Sequence, residues 1–238
     1  MSFDPYEFDR GYASSRGDTL GQYTAKTFLW MMLGLLVTFG VATFGYVTDL
    51  TWAVYREVES LHIILSVATL IISIVMVRRL EKMAVGTAIA MFVVFSVLMG
   101  AMLSTWMYYF HMTSFILIFL LTAVYFGALA AYGMITKRDL SGLRPILISG
   151  LLFLIVFSLL SLFIPGLQMF DRVVCLIGIA LFLGYTAYDT QRIRAFYNYY
   201  SASPEMLAKA SIFSALQLYL DFINLFLYLL RFLGNRRN

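Results

Sequence analysis

The chain contains 238 residues, of which 61% are hydrophobic and only 13% are charged, and its formal net charge is +4. Soluble domains carry about 25% charged residues, so an apolar excess of this size is too large for one buried core, and lipid must solvate much of the surface. The positive charge is spread along the chain without a basic run rich in aromatic residues, so nucleic acid is not an expected partner.

The first 26 residues are polar and mixed in charge, with Asp4 and Asp18 among Arg10 and Lys26. The first apolar run begins at Thr27 and is too long for the hydrophobic part of a cleavable signal peptide, so it should remain as a membrane span. We expect residues 1–26 to form a polar cytoplasmic segment.

Seven apolar stretches follow, and a helix needs about 20 such residues to cross the hydrocarbon layer. They cover residues 27–48, 61–77, 83–109, 113–135, 146–164, 173–193 and 211–230. The apolar runs are continuous rather than alternating in polarity, so they predict helices and not the strands of a membrane barrel. The expected architecture is an all-α polytopic membrane protein, with a seven-helix transmembrane domain at residues 27–230. The longest connection is expected between Arg194 and Lys209, although residues 195–200 are aromatic enough for the sixth helix to continue past Arg194.

The distribution of Lys and Arg predicts the orientation, because cytoplasmic loops carry an excess of these residues. With a cytoplasmic N-terminus, the inside segments hold Arg10, Arg16, Lys26, Arg78, Arg79, Lys82, Lys137, Arg138, Arg144, Arg192, Arg194 and Lys209. The outside segments hold Arg56, Arg172, Arg231, Arg236 and Arg237. The bias favours a cytoplasmic N-terminus, although seven spans place the basic tail at residues 231–238 outside. A last segment that re-enters the membrane is the alternative, and we prefer seven full spans.

Cysteine and histidine give no indication of a metal or redox centre. Cys175 is the only cysteine, which excludes an intramolecular disulfide and a CxxC site. His62 and His111 lie on separate apolar segments, so a zinc site built on paired histidines is not expected.

Two carboxylates lie inside predicted spans, where a charge costs at least ~2.5 kcal/mol. Asp221 lies near the middle of the last stretch, and Asp189 lies near the cytoplasmic end of the sixth. Polar residues recur around Asp221 at spacings of three and four, which places them on one face of a helix: Ser214, Gln217, Asp221, Asn224 and Tyr228. If this stripe faced lipid, its polar side chains would lack hydrogen-bond partners. The last helix is therefore expected to be central.

Each carboxylate also has a purely structural interpretation. Asp189 is spaced to pair with Arg192, and Asp221 could be a hydrogen-bond hub with Gln217 or Asn224. The sharper hypothesis is that Asp189 and Asp221 meet. Two adjacent carboxylates cannot both ionise cheaply, so such a pair would be a pH sensor and a weak ligand for a cation such as Ca²⁺.

The most specific pattern of the chain lies in two segments, GYTAYDTQRI in the sixth stretch and LQLYLDFINLFLYLLRFLGN in the seventh. Together they resemble the signature of the Bax inhibitor-1 family, in its bacterial branch. The segment YGMITKRDLSGL, after the fourth stretch, resembles the loop that this family has at the same place. The resemblance extends from about Tyr23 to the C-terminus.

The resemblance implies seven helices in a bacterial inner membrane, with six wrapped around a central last helix. It also implies a pH-sensitive calcium leak, in which an aspartate pair maps to Asp189 and Asp221. An arginine at the end of the second helix would reach the pair as a latch, and both Arg78 and Arg79 occupy that place. Ca²⁺ would be the transported or weakly bound ion, and no cofactor is implied.

Two other functions remain open. Relatives are associated with cell-death suppression or with modulation of a membrane protease, and in such a non-transporting regulator the carboxylates would be structural. An intramembrane aspartyl protease would use two membrane aspartates, and Tyr188 and Asp189 resemble one of its motifs. Its second motif, Gly-x-Gly-Asp, is absent before Asp221. We therefore expect no enzymatic activity, and the sequence identifies no protein partner.

Overall fold

The computed structural model describes residues 18–58, 60–79 and 82–236. Within these ranges the chain forms eight α-helices: α1 Leu20–Val47, α2 Leu50–Glu57, α3 Leu61–Arg79, α4 Val85–Tyr109, α5 Met112–Ile135, α6 Arg144–Phe163, α7 Asp171–Tyr200 and α8 Pro204–Leu233. Short 3-10 turns precede α6 and α7, at Ser141–Leu143 and Leu167–Phe170.

Six of these helices are long and apolar enough to cross a membrane, judged by length and composition over the described residues. They are α1, α4, α5, α6, α7 and α8. The α3 helix has 19 residues and coincides with the second predicted span. It is about 28 Å long, close to the thickness of the hydrocarbon layer. The predicted all-α polytopic membrane architecture is confirmed, and α2, with 8 residues, is too short to cross.

The last helix, α8, is central, as predicted. In its most apolar 18-residue window 72% of the residues are buried, against 11–33% in the other five helices that qualify as spans. Its principal neighbours are α1, α4, α5 and α7, while α3 packs on α4 and α6 packs mainly on α7. The six surrounding helices therefore divide into four that line α8 and two that lie farther out.

Contacts at the two ends of α8 show that it crosses the whole bundle. At its start, the hydroxyls of Ser211 and Thr27 lie 3.2 Å apart, which places this end beside the start of α1. At its other end, the His111 N–H donates to the Asn235 carbonyl at 3.1 Å, in the hairpin between α4 and α5. Tyr108 donates to the Tyr46 carbonyl, so that hairpin lies beside the end of α1. These contacts support seven full crossings and contradict a re-entrant last segment.

The connection between α7 and α8 differs from the sequence prediction. Helix α7 continues to Tyr200 and α8 begins at Pro204, so three residues replace the predicted long connection from Arg194 to Lys209. The α8 N-terminus is set by Ser203, whose hydroxyl accepts from the Met206 N–H at 3.4 Å, and by proline at the first helical position. Lys209, predicted in a loop, is buried in α8 and pairs with Glu205 at 2.8 Å.

The first helix also begins earlier than predicted, at Leu20 rather than Thr27. Thr19 and Gln22 form a reciprocal capping box, in which each side chain bonds the backbone N–H of the other residue. The last part of the predicted polar segment at residues 1–26 is therefore helical. Residues 1–17, including Arg10 and Arg16, lie outside the described residues, as does Arg237 at the other end.

Candidate functional site

Asp221 lies deep inside the bundle. It occupies the interior of α8, about 18 Å from the helix end at Leu233, and its side chain is almost fully buried, with 4% of the residue exposed. Its Oδ2 atom is buried and has no hydrogen-bond partner among the described residues. A buried carboxylate oxygen without a partner is costly in a low-dielectric surrounding, so this atom is the natural place for a proton or a cation.

Asp189 is buried on α7 and has a charged partner. Its Oδ1 accepts from Arg192 Nη1 at 3.3 Å, and only 8% of the residue is exposed. Because α7 continues to Tyr200, Asp189 lies roughly 16 Å from the helix end and not at the end itself. The Asp189–Arg192 pair is the structural alternative that the spacing suggested, and it is present.

The two carboxyl groups share one electrostatic environment, at the interface between α7 and α8. The Asp221 carboxyl interacts with the charges of both Asp189 and Arg192. Tyr185, one turn before Asp189, interacts with both carboxyls. The Arg192 guanidinium is partly exposed and lies over the Phe196 ring, 4.9 Å from its centroid, which holds it beside Asp189.

The polar stripe on α8 is distributed among different neighbours. Ser214 is buried and its hydroxyl lies 3.4 Å from the Tyr23 hydroxyl on α1. The Asn224 amide donates to the Leu220 carbonyl at 2.8 Å, within its own helix, and Tyr228 stacks on Phe182 of α7. Gln217 is partly buried. Ser214 and Asp221 are buried, whereas Gln217, Asn224 and Tyr228 are only partly buried, so the stripe does not face the interior along its whole length.

The opposite face of α8 is tied to α1 and α4. Tyr219 is fully buried, and its hydroxyl lies 2.6 Å from the Thr38 hydroxyl, which also bonds the Ser96 carbonyl at 3.0 Å. The Tyr219 ring packs edge-on against Phe92 and Phe95. These contacts fix α8 against α1 and α4, so the α7 side is where the aspartate pair could influence helix position.

The two latch candidates lie at the end of α3, where Arg78 and Arg79 are both exposed. In the described part of the chain, the guanidinium paired with the aspartates belongs to Arg192. A latch formed by Arg78 or Arg79 therefore stays a prediction, and it would require a different arrangement of α3 or of the side chains.

Two residues missed by the sequence reasoning fasten α7 to the end of α5 and to the loop that follows it. Gln191 accepts from the Leu140 N–H at 2.9 Å and donates to the Arg138 carbonyl at 2.8 Å. Arg194 donates to the Met134 carbonyl at 3.0 Å, which satisfies one of the last acceptors of α5. The partners are more than 50 positions away, so no local pattern announces them.

Close contact between α5 and α7 depends on Gly133. A methyl group there would collide with the Ala187 carbonyl oxygen and would lie 3.1 Å from the Thr190 side chain. A cavity of about 470 Å³ opens beside this contact, at the end of the bundle where α1 begins. Thr190, Gln191 and Arg194 of α7 contribute to its wall.

The donor set suits a weak cation contact. Ca²⁺ takes 6–8 oxygen ligands, and the pair supplies two carboxylates. Within the described ranges there is no group of three or more His, Cys, Asp or Glu residues that could hold a metal ion. A Ca²⁺ ion bound to Asp189 and Asp221 would therefore keep some of its water ligands and would dissociate readily.

Comparison with known proteins places the chain in a family. The family model described as inhibitor of apoptosis-promoting Bax1 matches residues 20–238. The chain is 36% identical over 219 residues to the inner membrane protein YbhL of Escherichia coli K12, covering 92% of this chain and 93% of that protein. It is 37% identical over 221 residues to an uncharacterized Rickettsia prowazekii protein, RP147, covering 92% of each chain. A Deinococcus radiodurans protein is 35% identical over 221 residues, covering 93% of each chain. The chain belongs to the Bax inhibitor-1 family.

Proposed function

We propose that this protein is a pH-sensitive calcium-leak channel of the bacterial inner membrane, gated by Asp189 and Asp221. The location rests on the apolar helices and on the similarity to a relative named as an inner membrane protein. The activity rests on the geometry of the aspartate pair and on the family resemblance.

One observation supports the proposal most: the buried Asp221 Oδ2 has no hydrogen-bond partner among the described residues, and Asp189 is close enough to interact with it. A structural carboxylate is normally stabilised by several donors. A carboxylate oxygen that has no hydrogen-bond donor at membrane depth is strongly destabilised. Binding a proton or a cation there would stabilise it.

The proposed gate works through the charge of the pair. With both carboxyls ionised, their repulsion is only partly offset by Arg192, which bonds Asp189 at 3.3 Å. A proton shared by the pair removes that repulsion and weakens the hold on a guanidinium partner. Because the opposite face of α8 is fixed to α1 through Tyr219 and Thr38, the change favours movement between α7 and α8.

Ca²⁺ is proposed as the cargo because carboxylates are hard oxygen ligands. Two carboxylates give an incomplete shell, so the ion can leave as readily as it enters. A leak fits this donor set better than tight storage does, and protons and Ca²⁺ should compete for the same oxygens.

Calcium flux into proteoliposomes across a pH series tests the proposal. The purified protein should give a Ca²⁺ influx above that of protein-free vesicles, with a sigmoidal dependence on pH. A matched Glu57→Gln variant, changed at an exposed carboxylate far from the pair, should keep the same curve. A flux equal to that of protein-free vesicles at every pH would contradict the proposal.

A non-transporting regulator is the second candidate, and the Asp189–Arg192 ion pair favours it because a paired carboxylate can be purely structural. In that case an Asp189→Asn, Asp221→Asn variant would keep its cellular effect while reconstituted protein shows no flux. Flux measured alongside the cellular effect distinguishes the two functions.

A further inference from the structure

A basic cavity lies at the end of the bundle opposite the start of α1. Its volume is about 720 Å³, and its wall contains the first turn of α7, the end of α8 and the chain that follows α8. Three arginines contribute to the wall: Arg172, Arg231 and Arg236. We call it the outer basic cavity.

The outer basic cavity has an excess of positive charge. Its one carboxylate, Asp171, forms an ion pair with Arg231 and joins the start of α7 to the end of α8. Among the residues that the structure describes, Arg172 and Arg236 have no ion-pair partner within 4 Å. Two guanidinium groups therefore remain available to an anion.

Hydrogen bonds of the neighbouring backbone fix the position of Arg236. The Asn235 carbonyl accepts from the His111 N–H at 3.1 Å, and the Asn235 N–H donates to the Ser114 hydroxyl at 3.4 Å. Arg236 forms an antiparallel bridge with Phe110, and its guanidinium lies 6.0 Å from the centre of the Phe110 ring. The chain after α8 is thus fastened to the hairpin between α4 and α5.

A second cavity, of about 450 Å³, shares Arg231 and Arg236 with the first. Its wall is largely aromatic and includes Tyr55, Trp106 and Tyr109. Tyrosine and tryptophan are enriched at the membrane–water interface, at the level of the lipid headgroups. The two cavities together offer guanidinium groups beside an amphipathic aromatic wall.

We propose that the outer basic cavity binds a phosphate group, and that Arg172 and Arg236 are its principal ligands. Guanidinium groups match phosphate oxygens in paired hydrogen bonds. The adjoining aromatic wall favours the phosphodiester of an anionic phospholipid over free phosphate. The Lys/Arg bias predicts few arginines at the outer end of the protein. A phosphate site there would account for Arg172, Arg231 and Arg236 at that end.

Short-chain phosphatidylglycerol, short-chain phosphatidylcholine and inorganic phosphate are the probes for this site. Each is titrated into the full-length protein in a neutral detergent, and thermal unfolding is followed. Phosphatidylglycerol should raise the unfolding temperature saturably, and phosphatidylcholine should raise it less. An Arg172→Gln, Arg236→Gln variant, which keeps the Asp171–Arg231 pair, should bind phosphatidylglycerol roughly tenfold more weakly or worse.

The control is Arg138→Gln, which removes an exposed guanidinium at the opposite end and should bind like the unchanged protein. A response to phosphatidylglycerol alone identifies a lipid headgroup site, and an equal response to inorganic phosphate identifies a free-phosphate site; both support the proposal. Equal effects of phosphatidylglycerol and phosphatidylcholine, without a response to phosphate, would overturn it. So would unchanged affinity in the double variant with unchanged basal unfolding temperature.

Discussion

Asp189 and Asp221 differ in how their surroundings compensate the charge. Asp189 has a guanidinium at 3.3 Å, whereas Asp221 Oδ2 has no hydrogen-bond partner among the described residues. In the proposed function, Asp189 holds the Arg192 guanidinium beside the pair, and Asp221 receives the proton or ion. The proposal therefore gives both carboxyls a part in the pH response.

Single substitutions should each shift the pH response without abolishing it. In Asp189→Asn or Asp221→Asn the surviving carboxyl loses its like-charged neighbour and keeps Arg192 within electrostatic reach. We expect the midpoint of the flux–pH curve to move to lower pH in both variants. Flux into proteoliposomes over a pH series measures it, with Glu57→Gln as the control. A midpoint unchanged in both variants would show that the carboxyls are not coupled.

At the residue scale, the sequence predicted the membrane carboxylates, the polar stripe and the spacing of Asp189 and Arg192. Those features follow from helical periodicity and from the cost of buried charge. The sequence did not predict the contacts of Gln191 with Arg138 and Leu140. It also did not predict the contact of Tyr219 with Thr38. They join helices far apart in the chain and depend on packing that one sequence does not encode locally.

The elements differ in how strongly they are fastened. Helix α8 is joined to α1 by three hydroxyl contacts, including that between Thr38 and Tyr219. Helix α7 is joined to the loop between α5 and α6 by Gln191, and to the end of α5 by Arg194. The fastening of α7 should therefore control access to the pair from the end where α1 begins.

The loop between α5 and α6 should open when Gln191 is removed. Gln191→Ala deletes two hydrogen bonds to the Arg138 carbonyl and the Leu140 N–H, each contributing about 1 kcal/mol. Limited trypsin digestion at Lys137 and Arg138 should then be roughly 30-fold faster, because cleavage requires local opening and the two bonds together contribute about 2 kcal/mol. Gln168→Ala, at the opposite end, is the control. Equal cleavage rates in the two variants would show that Gln191 does not hold the loop.

Helix α3 is the element on which the latch prediction depends, because Arg78 and Arg79 are exposed at its end. If either side chain reaches the pair in a closed state, replacing both with Gln removes a guanidinium partner of the carboxylates. We expect a higher Ca²⁺ leak at neutral pH in that variant, measured in proteoliposomes with equal protein incorporation. A leak equal to or below that of the unchanged protein would argue against a latch on α3.

Helix boundaries were the least predictable part of the elements. The sixth span was predicted to end near Arg192 and Arg194, because charged residues normally mark the membrane surface. The helix continues because four of the next residues are aromatic (Phe196, Tyr197, Tyr199 and Tyr200). In addition, Arg192 donates to Asp189, and Arg194 donates to the Met134 carbonyl. Charge alone marks the interface and not the end of a helix.

At the scale of the whole molecule, seven crossings place the start of α1 and the end of α8 at opposite ends of the bundle. The contacts of Ser211 with Thr27, and of Asn235 with His111, fix this relation. The Lys/Arg bias predicts which end faces the cytoplasm, and it predicts that the loop at Lys137 and Arg138 lies inside.

Reporter fusions should confirm that orientation. A reporter active only in the cytoplasm should be active when inserted at Asp139, in the loop between α5 and α6. The same reporter after Asn238 should be inactive, and a reporter of the outer side should show the reverse. Equal activity at both positions would contradict seven crossings, and the reverse pattern would contradict the cytoplasmic N-terminus.

In the proposed function, the charge state of one buried aspartate pair controls a calcium leak. The most direct measurement is the Ca²⁺ flux–pH curve of the Asp189→Asn, Asp221→Asn double variant in proteoliposomes. Its folding is confirmed beforehand by thermal unfolding. Amides keep the size of both side chains and remove the titrating groups, so we expect a flux that no longer depends on pH. A double variant that keeps the pH–flux curve of the unchanged protein would contradict the claim and return both residues to structural roles.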